Sequence, residues 1–326
     1  MKTRPLGRDG LPVTECGLGC WQLGGGWGNP WSDDTAQDIL SAAYTNGIRF
    51  FDTADVYGDG ESELSLGRFR ESHSDIIIAT KLGRRGGLYP DGYTEESVRA
   101  ATRQSMERLG VNRIDLTQLH CVPTEVLHEG KVFDWLRSQR EDGLIAAFGA
   151  SVETVEDGLI CLEQEGITSL QVIFNVFRQK LAHELLPMAR ERGVGVIARV
   201  PLASGLLTGK LRKNTGFAKD DHRNFNRDGE AFNVGETFAG IPFEKGVDLS
   251  EELREYVPED LSMAEMALRW ILDHDAVSVV IPGASSPAQA EANARISDIP
   301  PLPGALHERL SDFYGREVHD QIRGPY

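Results

Sequence analysis

The stretch RFFDTADVYGDGESELSLG, Arg49–Gly67, holds one strand, one loop and the start of one helix. Its apolar run, Phe50–Asp52, closes on a carboxylate. Five residues later Tyr57 sits against a glycine, and a helix-like acidic segment, Glu61–Arg70, follows. A buried strand that ends on an acid and leads to a phenol needs a chemical reason. The unit also needs neighbours to bury it.

The same alternation repeats along the chain. Strands are expected near Glu15–Gly19, Phe50–Asp52, Ile76–Thr80, Ile114–Leu119, Ile145–Gly149, Leu170–Ile173, Val194–Ala198 and Val277–Ile281. Helical patterns lie between them at Asp34–Thr45, Glu61–Arg70, Glu95–Leu109, Val132–Glu141, Val152–Glu165, Lys180–Arg192, Ser262–Asp273 and Ser286–Ala294. Several strands are nearly all apolar, as expected when both faces of a sheet are covered. Strand–helix repetition argues for parallel pairing and right-handed crossovers. Eight such units predict a closed (β/α)8 barrel in the α/β class, with residues 1–326 as a single domain.

One connection breaks the rhythm. From Ala203 to Asp260 no long periodicity stands out, and the segment carries GFAKDDHRNFNRDGEAFN. Long loops in compact domains are usually functional or mobile, so this one is expected to fold over the barrel mouth. Two phosphate-binding patterns match by letter only. Gly193–Ala198 fits G-x-G-x-x-A but enters a strand instead of leaving one for a helix. Gly205–Lys210 is one residue short of a Walker A loop, and Leu211 stands where a hydroxyl should bind magnesium.

The formal net charge of −16 repels phosphate backbones, so nucleic acid is not expected as a partner. The four cysteines, Cys16, Cys20, Cys121 and Cys161, form no C-x-x-C pair and read as reduced, mostly buried thiols. The first residues lack the apolar core of a leader peptide, and no apolar run approaches the ~20 residues of a membrane span. These features lead us to expect a cytoplasmic protein without a membrane partner. Nothing in the sequence fixes an oligomeric state.

Active sites of such barrels lie at the carboxyl ends of the strands. Asp52 ends the second expected strand, Lys81 follows the third, His120 follows the fourth, and Tyr57 lies just beyond Asp52. Taken singly, each has a structural reading: a cap, a packed ring, a snorkelling ammonium, a core histidine. Together they make a chemical set. A nearby ammonium favours the phenolate and is expected to lower the tyrosine pKa from about 10. Asp52 can pair with Lys81 and hold it charged. His120 can donate a hydrogen bond to a substrate carbonyl. Tyr57 is then a general acid toward an alkoxide, or a base in reverse. No side chain supplies hydride, so this reading requires a nicotinamide cofactor.

The segments FDTADVYGDGESELSLG, ATKLG and IDLTQLHCV resemble the aldo-keto reductase superfamily, in particular its bacterial members. The likeness starts at RPLGRDGLPVTECGLGCWQLGG, continues through PLASGLLTGK and reaches IPGASSPAQAEAN. It implies a barrel with a short N-terminal β-hairpin and a long loop after the seventh strand. It also implies roles: Tyr57 as proton donor, Asp52 and Lys81 as the pair that tunes it, and His120 as the carbonyl-orienting residue. Ser151 and Gln171 match the residues that bind the nicotinamide carboxamide. Phe174 stands where the family often stacks a tyrosine on that ring. The segment with Pro201, Leu202, Ser204, Gly205, Leu207 and Lys210 matches a pyrophosphate-covering loop. Gly283, Ser285, Gln289 and Asn293 match the adenosine-phosphate site at a helix start. Gly19 and Trp21 join this cofactor set. Trp21, Gln22 and Trp27 are expected to line the substrate pocket. Trp31 either walls its mouth or packs a Gly-rich loop.

Four positions depart from the family pattern. Val152 replaces a frequent asparagine after the serine. Arg199 and Val200 stand where many members read Tyr-Ser; Arg199 either reaches the pyrophosphate or is an ordinary strand-end arginine. Ser285 stands where several members carry a basic residue for the 2′-phosphate of NADP. Lys210 and Arg223 are then the candidates for that phosphate, or else solvated loop charges. The resemblance therefore implies NADP(H), with NAD(H) as the alternative, and a small carbonyl or alcohol as substrate. Two other functions stay open: a cofactor-sensing regulatory subunit resembling potassium-channel β subunits, and a Schiff-base or metal-dependent barrel enzyme. No cysteine–histidine spacing matches a common metal site.

Overall fold

The computed structural model describes residues 1–8, 10–25 and 32–326. A first pair of strands, β1 (Thr3–Leu6) and β2 (Leu11–Thr14), is antiparallel. Eight more follow in parallel: β3 (Leu18–Gly19), β4 (Phe50–Asp52), β5 (Ile77–Leu82), β6 (Ile114–His120), β7 (Ile145–Ser151), β8 (Ser169–Ile173), β9 (Gly195–Arg199) and β10 (Val277–Val280). They pair in sequence order from β3 to β10. Parallel bridges Cys16↔Val280 and Gly19↔Gly283 join the first of these strands to the last, closing the sheet. All eight strands fall where the sequence places them, and so do the eight helical segments.

The residue period of two decides what lies inside. Phe50, Ala79, Leu116, Ala147, Ile197 and Val279 form one cluster with Leu6 and Val13 of the hairpin. This is the barrel interior, with the hairpin plugging its amino-terminal end. Alternate residues such as Phe51, Ile78, Phe148, Leu170 and Val196 belong to the larger core beneath the helices. Side chains alternate across a strand. Two residues beyond the apolar interior layer therefore stand Asp52, Lys81, Gln118 and Arg199, one layer nearer the mouth.

Helix Glu61–Arg70 shows why its leading acids are there. Glu63 is fully buried. It accepts a short hydrogen bond from Thr80 Oγ1 and a 2.6 Å bond from Arg108 Nε. It ties the helix to β5 and to helix Glu95–Leu109 and takes no part in the site.

Some boundaries differ from the sequence expectation. The segment expected as Val152–Glu165 is helical over Val155–Leu162, because the Thr154 side chain accepts from Asp157 N and starts the helix there. Lys180–Arg192 splits into a 3-10 turn, Lys180–Ala182, and a helix, Leu185–Arg192. The long connection after β9 holds a helix that periodicity missed, Phe243–Leu253. Its buried face includes Gly246 and Ser250 beside Phe243, Val247 and Leu253. A Cβ at Gly246 would lie 2.5 Å from Leu206 Cδ1. Small residues admit Leu206 there, and Phe243, Val247 and Leu253 keep an apolar stripe around them. Helices Thr124–Glu129 and Gly304–Phe313 were likewise not expected. Among the described residues no helix is long and apolar enough to cross a membrane.

Candidate active site

Seven non-glycine residues among those described have left-handed backbone, with φ from 47° to 57°: Asp59, Cys121, Val200, Ala203, Ser204, Phe238 and Ala239. All lie in connections that leave the carboxyl ends of strands. Such conformations cost of order 1–3 kcal/mol each and persist where the surroundings enforce them, typically at functional sites. The strain therefore marks the same end of the barrel as the polar interior layer.

At that end the four expected catalytic residues meet. Lys81 Nζ donates to Asp52 Oδ1 in a short contact, to Thr53 O at 2.8 Å, and to Tyr57 Oη at 3.3 Å. Lys81 and Asp52 are 1% and 2% exposed. The ammonium also lies 4.9 Å from the centre of the Tyr57 ring. The His120 ring stands edge-on to Tyr57, with centroids 5.8 Å apart. Its Nδ1 is buried without a partner among the described residues.

The electrostatics correct one expectation. Burial pushes the Tyr57 phenol up, and Asp52 adds to that; Lys81 pulls it down but does not win. Net, Tyr57 is a weaker acid than free tyrosine. The ammonium has a nearer claimant in Asp52, and the phenol is out of water. Burial lowers Lys81, but Asp52 and Tyr57 outweigh it and hold the ammonium charged. Burial, then Lys81, Arg84 and Arg199, push His120 well below the usual histidine range, so its imidazole is neutral.

Two glutamines support this set. Gln171 Nε2 donates to Asp52 Oδ2 at 2.7 Å and to Gln118 Oε1 at 3.3 Å. Gln118 Nε2 donates to the same Asp52 oxygen at 3.1 Å. Gln118 was not singled out from the sequence. Its signal is the period of two, since it lies on β6 two residues before His120. Ser151 pairs in register with His120 and Gln171, and its Oγ lies 3.7 Å from Cys121 Sγ.

Phe174 does not belong here. With Gln171 facing inward, residue 174 faces outward. Its ring is fully buried against Trp270 and His274, with centroids 4.9 Å from each. It is a core residue, and the stacking role assigned to it fails on strand parity.

The expected cofactor segments lie at the ends of β3, β9 and β10. Gly19 bridges to Gly283. Gln289 Oε1 accepts from Ser285 N at 2.8 Å and from Ser285 Oγ at 3.1 Å. Asn293 Nδ2 donates to Gly283 O at 3.2 Å. Ser285 and Gln289 stand at the start of helix Pro287–Ala294, capped by Ser286, and Asn293 reaches Gly283 from its last turn. Gln22 joins this group and not the Trp21 pocket: a Cβ on Gly283 would lie 2.2 Å from its amide nitrogen. The turn Ala203–Thr208 follows β9. Pro201 is buried there, and Leu202 O accepts from Gly205 N and from Leu207 N. Leu207 puts its side chain in the core, so it serves as scaffold. Arg223 pairs with Asp221 at 2.6 Å and approaches Gly205, where an added Cβ would lie 3.9 Å from its Nη1. Lys210 is exposed, with Arg212 and Arg254 beside a cleft of about 580 Å³.

The long connection covers the mouth, as expected. Trp21 stacks on Tyr57 with ring centres 5.8 Å apart, leans on His222 at 4.8 Å and meets Phe232 edge-on at 6.0 Å. Phe238 N donates to Ser204 Oγ at 3.1 Å. Arg199 forms a short ion pair with Glu236, and Asn233 Nδ2 donates to Glu153 Oε2 at 3.1 Å. Trp27 and Trp31 lie outside the described residues. Arg84, Glu153, Glu236 and His222 are site neighbours that sequence reasoning missed: Arg84 and Glu153 follow β5 and β7 and pair with each other, while the folded loop brings in Glu236 and His222. Cys121, Glu153 and Glu236 place ligand-type atoms within 4.8 Å of one another. The Arg199 guanidinium contacts two of the three, with Nη2 3.6 Å from Cys121 Sγ, so the cluster already holds a cation of its own.

The Aldo/keto reductase family matches residues 15–314, and the chain belongs to that family. The glycerol dehydrogenase of Gluconobacter oxydans superposes with a TM-score of 0.79 at 29% identity, over 99% of this chain and 98% of that one. The chain is 26% identical to the NADH-specific methylglyoxal reductase of Escherichia coli, over 96% of this chain and 95% of that protein. It is also 28% identical to a probable voltage-gated potassium channel subunit beta of Arabidopsis thaliana, over 93% of each. Family and fold together make it an oxidoreductase of carbonyl or alcohol groups.

Proposed function

We propose that residues 1–326 form one barrel domain acting as an NADP(H)-dependent reductase of small aldehydes or ketones, or as the reverse alcohol or aldose dehydrogenase. The observation that carries this reading is the hydrogen-bonded chain Asp52–Lys81–Tyr57 with a neutral His120 edge-on to the phenol. A neutral imidazole can donate an N–H to the carbonyl oxygen. Tyr57, kept protonated by burial, delivers the proton to that oxygen. Lys81 then steadies the phenolate left behind, and Asp52 with Gln118 and Gln171 keeps the ammonium in place. The nicotinamide cofactor supplies the hydride.

The residues present fit a dinucleotide. Ser151 lies beside His120 for the nicotinamide end. The left-handed turn Val200–Gly205 and the start of helix Pro287–Ala294 suit phosphate groups. The adenosine-side cluster of Ser285, Gln289 and Asn293 is uncharged. Selection for a 2′-phosphate then falls chiefly on Arg223 near Gly205, which supports NADP(H). Four unpaired, buried cysteines support action in the cytoplasm. The Schiff-base alternative is disfavoured, because Lys81 is buried and charged. A regulatory role like that of the channel subunit is disfavoured if the chain turns over.

The test is the substitution Tyr57→Phe with NADPH oxidation followed across an aldehyde and ketone panel. Wild type should bind NADPH more tightly than NADH and reduce part of the panel. The variant should keep cofactor binding and lose about 100-fold or more in turnover. A wild type that binds cofactor and reduces nothing would overturn the enzymatic reading. Tighter NADH than NADPH binding would reverse the cofactor assignment.

A further inference from the structure

Arg199 is the largest charged group in the site that the proposed chemistry leaves without a task. It lies on β9 with its side chain on the inward face, two residues beyond Ile197 of the barrel interior. The residue is 8% exposed. Its side chain crosses the mouth: Nη2 lies 3.2 Å from Val152 O and 3.6 Å from Cys121 Sγ. Cys121 and Val152 are the residues that follow His120 and Ser151. The guanidinium is thus wedged over the ends of β6 and β7, immediately beside Ser151. Nη1 pairs with Glu236 from the covering segment, and Nε is buried without a partner among the described residues. Burial opposes its charge, but Glu236, Cys121 and Glu153 outweigh that, so the cation is permanent.

We infer that Arg199 sets which oxidation state of the cofactor this enzyme holds, by placing a fixed positive charge against the nicotinamide. The inference rests on the assignment of Ser151 to the carboxamide. A ring held at Ser151 has to share the mouth with the guanidinium that spans the same strand ends. The oxidised ring carries a full positive charge and the dihydro ring carries none. A neighbouring cation therefore opposes only the oxidised form, and the opposition is strong where water is excluded. Glu236 offsets part of the field. The arrangement favours retention of the reduced cofactor and expulsion of the oxidised one, which suits net carbonyl reduction. It also gives a physical reason for an arginine where many family members read tyrosine.

The experiment is equilibrium binding of NADP⁺ and of NADPH to the full chain, by tryptophan quenching, with NAD⁺ and NADH in parallel. The measured quantity is the ratio of the two dissociation constants, oxidised over reduced. In Arg199→Met this ratio should fall about tenfold, mainly because the oxidised form binds more tightly. Arg199→Lys should restore most of it. Glu236→Gln should move the ratio the other way, upward by several-fold, since it exposes the cation. Loosening of the covering segment weakens both forms alike and leaves the ratio unchanged, so a structural role gives no such pattern. If Arg199→Met fails to fold, the upward shift in Glu236→Gln decides the matter. Unchanged ratios in the folded variants overturn the inference while leaving the reductase reading intact. A wild type that binds neither form overturns both.

Discussion

Asp55, two residues before Tyr57, gives the sharpest test of the electrostatics. It is 1% exposed, and both of its carboxylate oxygens lack partners among the described residues. Burial, and then the nearby Glu63, push its carboxyl from 3.8 up to about 7, against the pull of Arg108 and Arg85. Between those two pH values the folded chain holds a proton that the unfolded chain has released. The stability this confers is complete below the unfolded value and is lost as pH rises through about 7. A span of about three pH units at ~1.4 kcal/mol each bounds the effect at roughly 4 kcal/mol. The histidines run the other way. Burial keeps His222 at about 4 and His120 well below its ordinary value. Their contribution is complete above about 6.5 and is lost as pH falls. Two histidines outweigh one carboxyl below about 6.5, so stability should climb with pH to about 7 and level off above it, with Asp55 flattening the climb.

The perturbation is Asp55→Asn, which keeps the shape and removes the titration. Asn brings its own buried amide, so the absolute stability at one pH is a poor readout. The change of stability with pH is the clean one. Urea midpoints measured at pH 5.5, 7.0 and 8.5 should rise from the first to the second and then level off in wild type. The rise should be steeper in the variant by roughly 1.5–2 kcal/mol, because the opposing loss at Asp55 is gone. Equal slopes in the two proteins would refute the reasoning, because they would mean that the Asp55 carboxyl ionises in the fold as readily as in water.

Three further outcomes follow from named contacts. The rate of carbonyl reduction by wild type should stay flat through neutral pH and fall only above the ordinary tyrosine range, about 10, because burial keeps Tyr57 protonated; a titration near 7 assigned to Tyr57 by its loss in Tyr57→Phe would contradict this. Phe174→Ala should cost about 3–5 kcal/mol in urea unfolding yet leave cofactor affinity per folded molecule unchanged, since the ring packs on Trp270 and His274. Arg323 Nε donates to Gly240 O at 3.0 Å and its guanidinium pairs with Asp228, so Arg323→Ala should loosen the covering segment. We expect about tenfold weaker cofactor binding and faster proteolysis within residues 211–240, with little change in barrel stability.

The limits of the sequence reading follow from which facts are local. Strand positions were legible because each is a short apolar run between amphipathic helices. Asp52, Lys81 and His120 were legible because each closes such a run. The error at Phe174 was avoidable: on one strand, Gln171 facing the barrel interior commits residue 174 to the helical side. The two assignments exclude each other by the period of two alone. The missed helix Phe243–Leu253 was avoidable in part, because Phe243, Val247 and Leu253 keep helical spacing; what the sequence does not show is that Gly246 and Ser250 admit Leu206, a partner chosen by the fold. The direction of the Tyr57 shift belongs to this second kind. Sequence names the neighbouring cation, whereas burial and the competing claim of Asp52 exist only once Lys81 is enclosed. The pairing of Arg199 with Glu236 is the same case at longer range, since a loop without periodicity must fold back before the carboxylate can meet the strand end. Charges already paired within the barrel walls are what the sequence shows; charges delivered across its mouth are what the covering loop adds, and they decide how the site treats a charged ring.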